Sequence, residues 1–370
     1  MKEQAWRMGI QQRVLPAYRV PFFDLLAQTY QGKVSIFFGT ARSHEMLETN
    51  ALPQIASYKK GRNLHLFAGQ FYLCWQLGLL EWLQEWQPHV LIMEANPRYP
   101  LSWKAIRWMK KQKGKVIGWG LGSSISKDFF GYLRAHERSR FIRQFDALIT
   151  YSKQGAEEYQ RLGFPKERIF VAPNAVTRKP TDPPPRRPGR YEFNQPNVLF
   201  VGRLQERKRV DALINACASL PPELQPQLHI VGDGPARCKL EQLAQENYAQ
   251  TKFYGAVHGK ELEALFYKAD LFVLPGTGGL AVQEAMRYAL PVIVGQADGT
   301  QSDLVQAENG WVLERGGVVE LKNKMIEALS DLAALRAKGV ASFNIVRDEA
   351  NLEKMAVAFQ AAINAVMENP

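Results

Sequence analysis

Residues 275–294 read PGTGGLAVQEAMRYALPVIV and directly follow the apolar run Leu271–Leu274. A predicted strand that passes three glycines and enters a helix brings free backbone N–H groups and the positive end of a helix dipole to one point, which suits an anion such as phosphate. The glycines also let a ligand approach the main chain closely. Taken alone, the stretch is better explained as a tightly packed strand–turn–helix corner, so the rest of the chain decides its interpretation.

The composition is that of a soluble globular protein. The chain has 370 residues, enough for two domains, with 46% hydrophobic and 22% charged residues. Its three cysteines show no CxxC spacing, which argues against a structural zinc site and fits a reducing compartment. The N-terminal residues lack the apolar core of a signal peptide, so we expect a cytoplasmic protein. The most apolar window, Leu64–Leu83, is interrupted by polar residues and predicts a buried helix rather than a membrane span.

The charge is divided unevenly along the chain. Residues 1–179 hold 27 Lys or Arg against 13 Asp or Glu, a net charge of +14, whereas residues 180–370 hold 20 against 23, a net charge of −3. A basic first half predicts an anionic partner: a phospholipid surface, a polyanionic glycan or a nucleic acid. Because no zinc-finger spacing or aromatic RNA-stacking motif accompanies the charge, we expect no nucleic acid partner.

Short apolar runs alternate with helical patterns along the chain, which predicts an α/β fold of parallel sheets covered by helices. We place a Rossmann-like domain at 1–177, a proline-rich linker at 178–196 and a second Rossmann-like domain at 197–350. Residues 351–370 form a final helix, for which we consider packing back on the first domain. The predicted strands are Val34–Phe38, Val90–Met93, Val116–Trp119, Ala147–Tyr151, Ile169–Val171, Val198–Val201, Leu228–Val231, Lys252–Tyr254, Leu271–Leu274, Val292–Val294 and Trp311–Leu313. The predicted helices of the first half are Gln70–Trp86, Leu101–Lys111, Gly131–Gln144 and Lys153–Leu162.

Three strand–turn–helix stretches of the second half have the composition of a diphosphate site. VLFVGRLQERKRVDALINA turns at Gly202 and carries Arg203 and Lys208 towards a helix, LHIVGDGPARCKLEQLA is the second stretch, and residues 275–294 are the third. Two cations beside several glycine turns would neutralise a diphosphate, and Glu284 lies where a carboxylate could accept hydrogen bonds from ribose hydroxyls. Each stretch alone fits ordinary packing, and the two cations fit solvated loop charges; their conjunction favours the functional interpretation.

The second half resembles the retaining glycosyltransferases with the GT-B fold, in the large group called family GT4. The C-terminal domain of that family typically reads VGRL…KG…LI.A, VGDGP, F.G.V and D.F.LPS..EGFGL..LEAM..G.PVI. The matching pieces here are VGRLQERKRVDALINA, IVGDGP, FYGAVHGKELEALFYKADLFVLP and GGLAVQEAMRYALPVIV, in that order over residues 197–317. VAPNAV at Val171–Val176 matches the segment before the family's inter-domain linker, and VLPAYRVPFFDLLAQ resembles the opening of some members. The resemblance implies two doubly wound Rossmann-like domains that face a central cleft.

The resemblance also implies a role for each matching position. Arg203 and Lys208 would bind the donor diphosphate and stabilise the leaving group, Glu284 would bind the ribose, and the main chain near Val257 would meet the nucleobase. The distal phosphate would be held by the backbone around Gly278, Gly279, Leu280 and Ala281. The two cations and the helix dipole would stabilise the departing nucleotide, with no metal or other cofactor.

Two positions depart from the pattern of the family. The family has two acids eight positions apart, and only the second is present here, as Glu284, because Gly276 occupies the first. We interpret the glycine as leaving room and a free amide for other groups that orient the sugar. Many relatives also have a histidine between glycines near the end of the third strand; here GWGLGSS, Gly118–Ser124, places Leu121 there beside Gly120, so no catalytic base is assigned.

The basic first half supplies candidates for the acceptor side. Ser102–Lys115 has lysines and tryptophans at a spacing typical of a helix on an anionic membrane, or of a helix whose apolar face packs on the sheet. Tyr18 and Arg19 in PAYRVP, with Gly120 and Leu121, are candidate acceptor contacts, and PAYRVP is equally explained as a plain turn.

We therefore expect a retaining hexosyltransferase that moves a sugar from a nucleoside diphosphate sugar to a hydroxyl of a lipid-linked or cell-surface glycan. It would work in the cytoplasm, peripheral to the inner leaflet of the membrane. The alternative is a non-catalytic nucleotide-sugar-binding or scaffold protein that kept the donor pocket. A dehydrogenase is disfavoured, because GWGLG lacks the third glycine and the later acid of a nicotinamide-binding motif.

Overall fold

The computed structural model describes residues 6–31, 33–42, 45, 49–122, 129–192, 195–278, 280–297 and 299–368, and at residues 70 and 129–134 it describes the backbone only. These residues belong to two compact units. Unit 1 consists of Met1–Val176 with Leu352–Pro370, and unit 2 consists of Thr177–Asn351. Each unit contains a parallel sheet with helices on its faces, as the alternation of apolar runs and helical patterns predicts.

Unit 1 is built on a seven-stranded parallel sheet. Its strands are β1 (Met8–Val14), β2 (Val34–Gly39), β3 (Ser57–Lys60), β6 (Val90–Glu94), β7 (Lys115–Gly120), β8 (Ala147–Thr150) and β9 (Ile169–Val171), and a separate antiparallel hairpin consists of β4 (Arg62–Leu66) and β5 (Leu73–Leu77). The strand order is β3-β2-β1-β6-β7-β8-β9. Because the order reverses between β1 and β6, the loops that follow these two strands meet at a topological switch point, where such sheets bind ligands.

Helices cover both faces of this sheet. One face carries α1 (Val20–Thr29) and α13 (Leu352–Met367), and the other carries α2 (Leu79–Trp86), α3 (Pro100–Lys111), α4 (Phe129–Ile142) and α5 (Lys153–Arg161). The ring of Phe359 in α13 lies 4.9 Å, between centroids, from each of the rings of Phe22 and Trp119. The last helix of the chain is therefore part of the core of unit 1.

The prediction of a buried helix over Leu64–Leu83, and of a helix at Gln70–Trp86, is wrong except for Leu79–Trp86. The segment instead forms the hairpin of β4 and β5. Its residues alternate with a period of two, which is the period of a strand. The polar residues point inwards: Asn63 is buried, and its Nδ2 donates to the backbone oxygens of Arg13 and Thr40 at 2.7 and 2.9 Å.

The sequence analysis names no strand before Val34, yet β1 is a central strand of unit 1. Its sequence, MGIQQRV, places two glutamines in a strand with buried neighbours on both sides. Gln11 Nε2 donates to Gln76 Oε1, and Gln76 Nε2 donates to the backbone oxygen of Gln12 at 3.0 Å. Buried amides that are hydrogen-bonded cost little, so this strand does not need to be apolar.

Unit 2 is built on a six-stranded parallel sheet. Its strands are β10 (Asn197–Val201), β11 (Gln227–Val231), β12 (Thr251–Gly255), β13 (Leu271–Leu274), β14 (Val292–Gly295) and β15 (Gly310–Leu313), each within one residue of the predicted bounds. The order is β12-β11-β10-β13-β14-β15, so the switch point lies between β10 and β13. The helices are α6 (Val210–Ala218), α7 (Arg237–Asn247), α8 (Gly259–Lys268), α9 (Leu280–Arg287), α10 (Thr300–Leu304), α11 (Val318–Ser330) and α12 (Leu332–Asp348).

The proline-rich segment 178–196, predicted as a linker, is held against unit 2. The guanidinium of Arg187 is largely surrounded by backbone carbonyls and donates to those of Tyr288 at 2.7 Å and of Phe266 and Tyr267 at 3.0 Å. The Tyr191 hydroxyl donates to the backbone oxygen of Leu329 at 2.9 Å. Since these bonds fix side chains of the segment to α8, to the residue that follows α9 and to α11, the segment is part of the second unit.

Candidate functional site

The loops that follow β10 and β13 lie at the switch point of unit 2, and hydrogen bonds tie them together. The backbone N–H of Thr277 donates to the backbone oxygen of Arg207 at 3.0 Å. Arg207 Nη1 donates to Thr277 Oγ1 at 3.1 Å. The two stretches in which the sequence analysis places the phosphate-binding residues are therefore parts of one structure.

Gly276 sits at the closest approach of these two loops. A Cβ at this position would collide with the backbone oxygen of Arg207 and with the backbone of Lys208. The interpretation that this glycine leaves room in the site is therefore wrong. The glycine is required because another segment of main chain already occupies the space, and the same packing excludes the acid that the family pattern has there.

Lys208 lies directly beside the glycine turn that precedes α9. A Cβ on Gly278 would collide with Lys208 Nζ, so the ammonium group covers this glycine. Gly278 has a φ of 123°, a backbone conformation that side chains disfavour. Burial, together with the positive charge of Arg207, lowers the pKa of Lys208 from 10.5 to about 8. A lysine desolvated in this way gains stabilisation from any anion that approaches it.

The start of α9 adds to the positive potential at Lys208. Leu280 and Ala281 are the first two residues of this helix, and both are partly exposed. Gly279, the remaining residue predicted for the distal phosphate, lies outside the described residues. A helix start presents unsatisfied N–H groups and about half a positive charge, so this corner has the charge and the donors that a phosphate needs.

Arg203 lies five residues before Lys208, on the same loop, and is partly buried. The glycines of the VGDGP stretch pack against this part of the loop. A Cβ at Gly232 would collide with the backbone of Gly202, and one at Gly234 would collide with the backbone of Leu204. Backbone packing thus explains the two glycines of this stretch, which fix the segment that carries Arg203.

Glu284 lies in α9, in the second turn of the helix. Burial raises the pKa of Glu284, the positive charge of Arg287 opposes this, the Glu263 carboxylate raises it further, and His258 acts in the lowering direction. His258 directly follows Val257 in the connection between β12 and α8. Glu284 is therefore within electrostatic range of the residue that follows Val257.

A cavity of about 560 Å³ opens at the switch point of unit 1. It lies where β1, β6, β7 and β8 end, and the predicted acceptor residues Tyr18, Gly120 and Leu121 line it. Arg19 does not line it. This side chain is buried and donates to Asn174 Oδ1 and to the backbone oxygen of Ala175, so it joins the start of α1 to the chain after β9.

Glu94 is a residue of this cavity that the sequence analysis did not single out. It ends β6, accepts a hydrogen bond from the backbone N–H of Arg13 at 2.6 Å, and accepts another from the Tyr99 side chain. Burial raises the pKa of its carboxyl group. An acid that closes the apolar run VLIM was a usable signal, but its position at the switch point depends on β1, which the sequence analysis missed.

The apolar residues of α3 belong to the core of unit 1. Ile106 and Met109 are buried, and the rings of Trp103 and Phe141 lie 4.9 Å apart between centroids. The interpretation of this helix as one that packs its apolar face on the sheet is confirmed. Its tryptophans are partly buried and pack against the core of unit 1.

A second cavity, of about 580 Å³, lies between α6 and α7 in unit 2. Gln205, Arg209, Asn215 and Lys239 contribute to its lining, and none of the predicted donor residues does so. Lys208 and Gly278, where a desolvated lysine and a helix start converge at the switch point, lie outside this cavity.

Two doubly wound parallel sheets, with a cationic helix start at one switch point and a polar cavity at the other, define a protein of the GT-B class. Solved structures to which it is similar have the same fold. A structure of HepE (Alr3699) from Anabaena in complex with UDP has a TM-score of 0.73 at 15% identity, covering 97% of this chain and 99% of that one. The lipopolysaccharide outer core galactosyltransferase WaaB has a TM-score of 0.70 at 18% identity, covering 97% and 99%. Identities this low establish the fold alone.

Two family models match the chain, and together they span most of it. Residues 186–339 match the model for "Glycosyl transferases group 1", and residues 32–179 match the model for "Glycosyltransferase Family 4". The chain therefore belongs to the group 1 glycosyltransferases of the GT4 type, as the motifs of the second half indicate.

Curated relatives match part of the chain. A GDP-mannose-dependent alpha-mannosyltransferase of Mycobacterium tuberculosis is 35% identical over 147 residues, 39% of this chain and 36% of the relative. The sulfoquinovosyl transferase SQD2 of Arabidopsis thaliana is 31% identical over 147 residues, 38% of this chain and 28% of the relative. The chain thus spans about half or less of the length of the curated relatives it matches.

Proposed function

We propose that this protein transfers a sugar from a nucleoside diphosphate sugar to a hydroxyl group of a glycan, with retention at the anomeric carbon. The observation that carries the proposal is the position of Lys208 Nζ over Gly278 at the entrance to α9. Family membership supports the reaction class, and the family resemblance supports retention.

In this proposal unit 2 binds the donor. The bond between the anomeric carbon and the diphosphate oxygen breaks while the acceptor oxygen bonds to the same face of that carbon. The acceptor proton passes to the departing phosphate oxygen, so no separate base is needed. Lys208, Arg203 and the start of α9 stabilise the negative charge that develops on the diphosphate, because groups fixed in advance need not reorganise during the reaction.

The donor class is supported by what similar proteins bind. HepE of Anabaena has been crystallised with UDP and with UDP-glucose, and several relatives are named as GDP-mannose-dependent enzymes. A thermal-shift screen of UDP-, GDP- and ADP-sugars tests the proposal. A rise in melting temperature with one class identifies the nucleobase, and no rise with any of them would argue against the donor site.

The acceptor is proposed to enter the cavity of unit 1, where Glu94 accepts a hydrogen bond from an acceptor hydroxyl group other than the one that reacts. Losing a hydrogen bond to a charged group typically costs about 1.5–3 kcal/mol. Glu94→Gln is therefore expected to lower kcat/KM for transfer by at least about tenfold, with nucleotide affinity unchanged. A variant that transfers sugar as fast as the wild type would remove Glu94 from the acceptor site.

We further propose that charge neutralisation by side chains replaces a metal ion. The cation beside Gly278 is an ammonium group, and the helix start adds N–H donors. Transfer is accordingly expected to proceed at the same rate in EDTA as in buffer without it. A strict requirement for a divalent cation would overturn this part of the proposal.

The rival function is non-catalytic binding of a nucleotide sugar. It is favoured by one observation, the absence of the first acid of the family pattern at Gly276, where the backbone of the neighbouring loop leaves no space for a side chain. Slow hydrolysis of a bound donor, abolished by Lys208→Ala, would support the enzyme. Nucleotide binding without turnover on any donor would support the rival.

The acceptor is proposed to be lipid-linked or part of a cell-surface glycan, reached from the cytoplasmic face of a membrane. The support is the net charge of +14 over residues 1–179, which favours an anionic surface. No helix among the described residues is both long and apolar enough to cross a membrane. Association is therefore proposed to take place through the surface of the protein.

A further inference from the structure

The hairpin of β4 and β5 has its polarity reversed. The residues that point towards the sheet are polar or small: Asn63, His65, Cys74 and Gln76. The residues on the opposite face are Leu64 and Leu66 on β4 and Leu73, Trp75 and Leu77 on β5, and all five are partly or largely exposed. A surface hairpin normally alternates in the opposite sense, with its apolar side chains towards the core.

The inward face fixes the hairpin to the sheet by hydrogen bonds. Asn63 Nδ2 bonds to the ends of β1 and β2 through the backbone oxygens of Arg13 and Thr40, and Gln76 Nε2 donates to the backbone oxygen of Gln12. A Cβ on Gly39 would collide with the Asn63 side chain, so the hairpin is packed closely against β2. The apolar face is thus presented to solvent by a firmly attached element.

The tip of the hairpin carries two phenylalanines in solvent. Phe67 is 72% exposed and Phe71 is 70% exposed. Phe67 also has a φ of 58°, a conformation that is rare for a bulky residue. Neither the exposure of the Phe67 side chain nor its backbone conformation stabilises the folded state. The aromatic ring therefore has no evident structural role within the described part of the chain.

The chain segment that contains the hairpin carries only positive charges. Residues 49–80 contain Lys59, Lys60 and Arg62 and no Asp or Glu. Lys59 pairs with Glu85 at 2.6 Å, whereas no ion pair of Lys60 or Arg62 is found among the described residues, and both are exposed. Aromatic and aliphatic side chains beside unpaired cations are the combination that binds the headgroup region of an anionic bilayer.

We propose that the hairpin, residues 62–77, inserts its tip and outward face into the interface of an anionic phospholipid bilayer. This inference deepens the proposed location at a membrane and does not need the transferase activity. A second copy of the chain is the less suitable occupant. A twofold contact would bring the same patch against itself, so that Lys60 and Arg62 would meet the same positive charges of the second copy.

Vesicle flotation of the full chain tests the proposal without donor or acceptor. The wild type is expected to float with vesicles of equal parts phosphatidylglycerol and phosphatidylcholine, and to float far less with phosphatidylcholine alone. Phe67→Ser and Phe71→Ser are each expected to weaken binding by about tenfold, because each removes a large apolar side chain from the interface. The matched control is Val319→Ser in α11, a position that is also 72% exposed, and it is expected to bind like the wild type.

Fluorescence quenching gives a second measurement, made on the wild-type protein and on conservative tryptophan-to-phenylalanine variants. Lipids brominated near the headgroup are expected to quench Trp75, which lies on the outward face, and the quenching is expected to fall in Trp75→Phe but not in Trp103→Phe. Equal flotation of the phenylalanine variants and the wild type, or quenching that is unchanged in Trp75→Phe, would overturn the proposal. A second result would also overturn it: the wild type does not bind anionic vesicles and is a dimer, and the double variant with Phe67→Ser and Phe71→Ser is a monomer.

Discussion

Lys208 is the residue on which the donor site depends, and its charge state sets the pH dependence of binding. Burial lowers its pKa to about 8, so the free protein loses this charge as the pH rises through 8. A bound diphosphate favours the charged form and raises the pKa again. Binding between about pH 8 and pH 10 is therefore expected to take up a proton, and affinity is expected to fall by up to about tenfold per pH unit.

Calorimetric titration in two buffers of different ionisation enthalpy measures this proton uptake directly. The same burial penalises the charged lysine in the folded state. The free protein is therefore expected to lose this penalty, and to gain stability from this group, as the pH rises from about 8 towards 10.5. Binding that is independent of both buffer and pH across this range would show that Lys208 does not meet the anion.

Gly276 supplies a second test at the scale of one residue. Because a Cβ there meets the backbone of the neighbouring loop, Gly276→Ala is expected to destabilise unit 2 by about 1–3 kcal/mol and to weaken nucleotide binding. Gly317→Ala is the matched control, since a Cβ at Gly317 meets nothing within 4 Å and its φ is −83°. Equal denaturation midpoints for the two variants would mean that Gly276 is not at a point of close packing.

The loop between β10 and α6 contains a residue with a strained backbone conformation, at a position where the family pattern has glycine. The family pattern has KG where this chain has Lys208 and Arg209, and Arg209 adopts the left-handed conformation with φ 54° and ψ 38°. Its ion pair with Asp211, at 3.5 Å, is exposed and contributes little. Arg209→Gly is expected to raise the free energy of unfolding by about 0.5–1 kcal/mol in urea denaturation. A lower midpoint would show that contacts of the arginine outweigh the backbone strain.

The elements of unit 2 were predictable, and two elements of unit 1 were not. Strands such as Leu271–Leu274 are continuous apolar runs, which is the pattern of a parallel strand buried on both faces. β1 and the hairpin break that pattern because their buried residues are amides that bond to one another and to backbone. Gln11, Gln76 and Asn63 become acceptable in the core only when both partners are in place, and no local pattern reveals such pairs.

The residues of the candidate site were likewise predictable only in part. Lys208, Gly278 and Glu284 lie within motifs whose order along the chain indicates their meeting at one switch point. The reason for Gly276 was not accessible, because it depends on the backbone of residues 207–208, about 70 positions earlier in the chain. Glu94 was missed because its neighbour across the switch point is the strand that was missed.

At the scale of the whole molecule, the two units are expected to respond separately to a nucleotide. Hydrogen exchange with and without a nucleoside diphosphate is expected to show slower exchange at residues 202–209 and 280–287 of unit 2. The strands of unit 1 are expected to exchange at unchanged rates, because the proposed anion site lies wholly within unit 2. Slower exchange only in the loops around the cavity of unit 1 would show that the nucleotide binds unit 1, which would contradict the proposed site in unit 2.

The central claim is that Lys208 and the start of α9 receive the diphosphate of the donor. Its most direct measurement is calorimetric titration of UDP and GDP into the wild type, Lys208→Ala and the control Lys239→Ala, whose lysine lines the cavity between α6 and α7. Lys208→Ala is expected to lose about 1.5–3 kcal/mol of binding free energy, the range for a charged hydrogen bond, and Lys239→Ala is expected to lose none. Equal affinity of Lys208→Ala and the wild type would contradict the account.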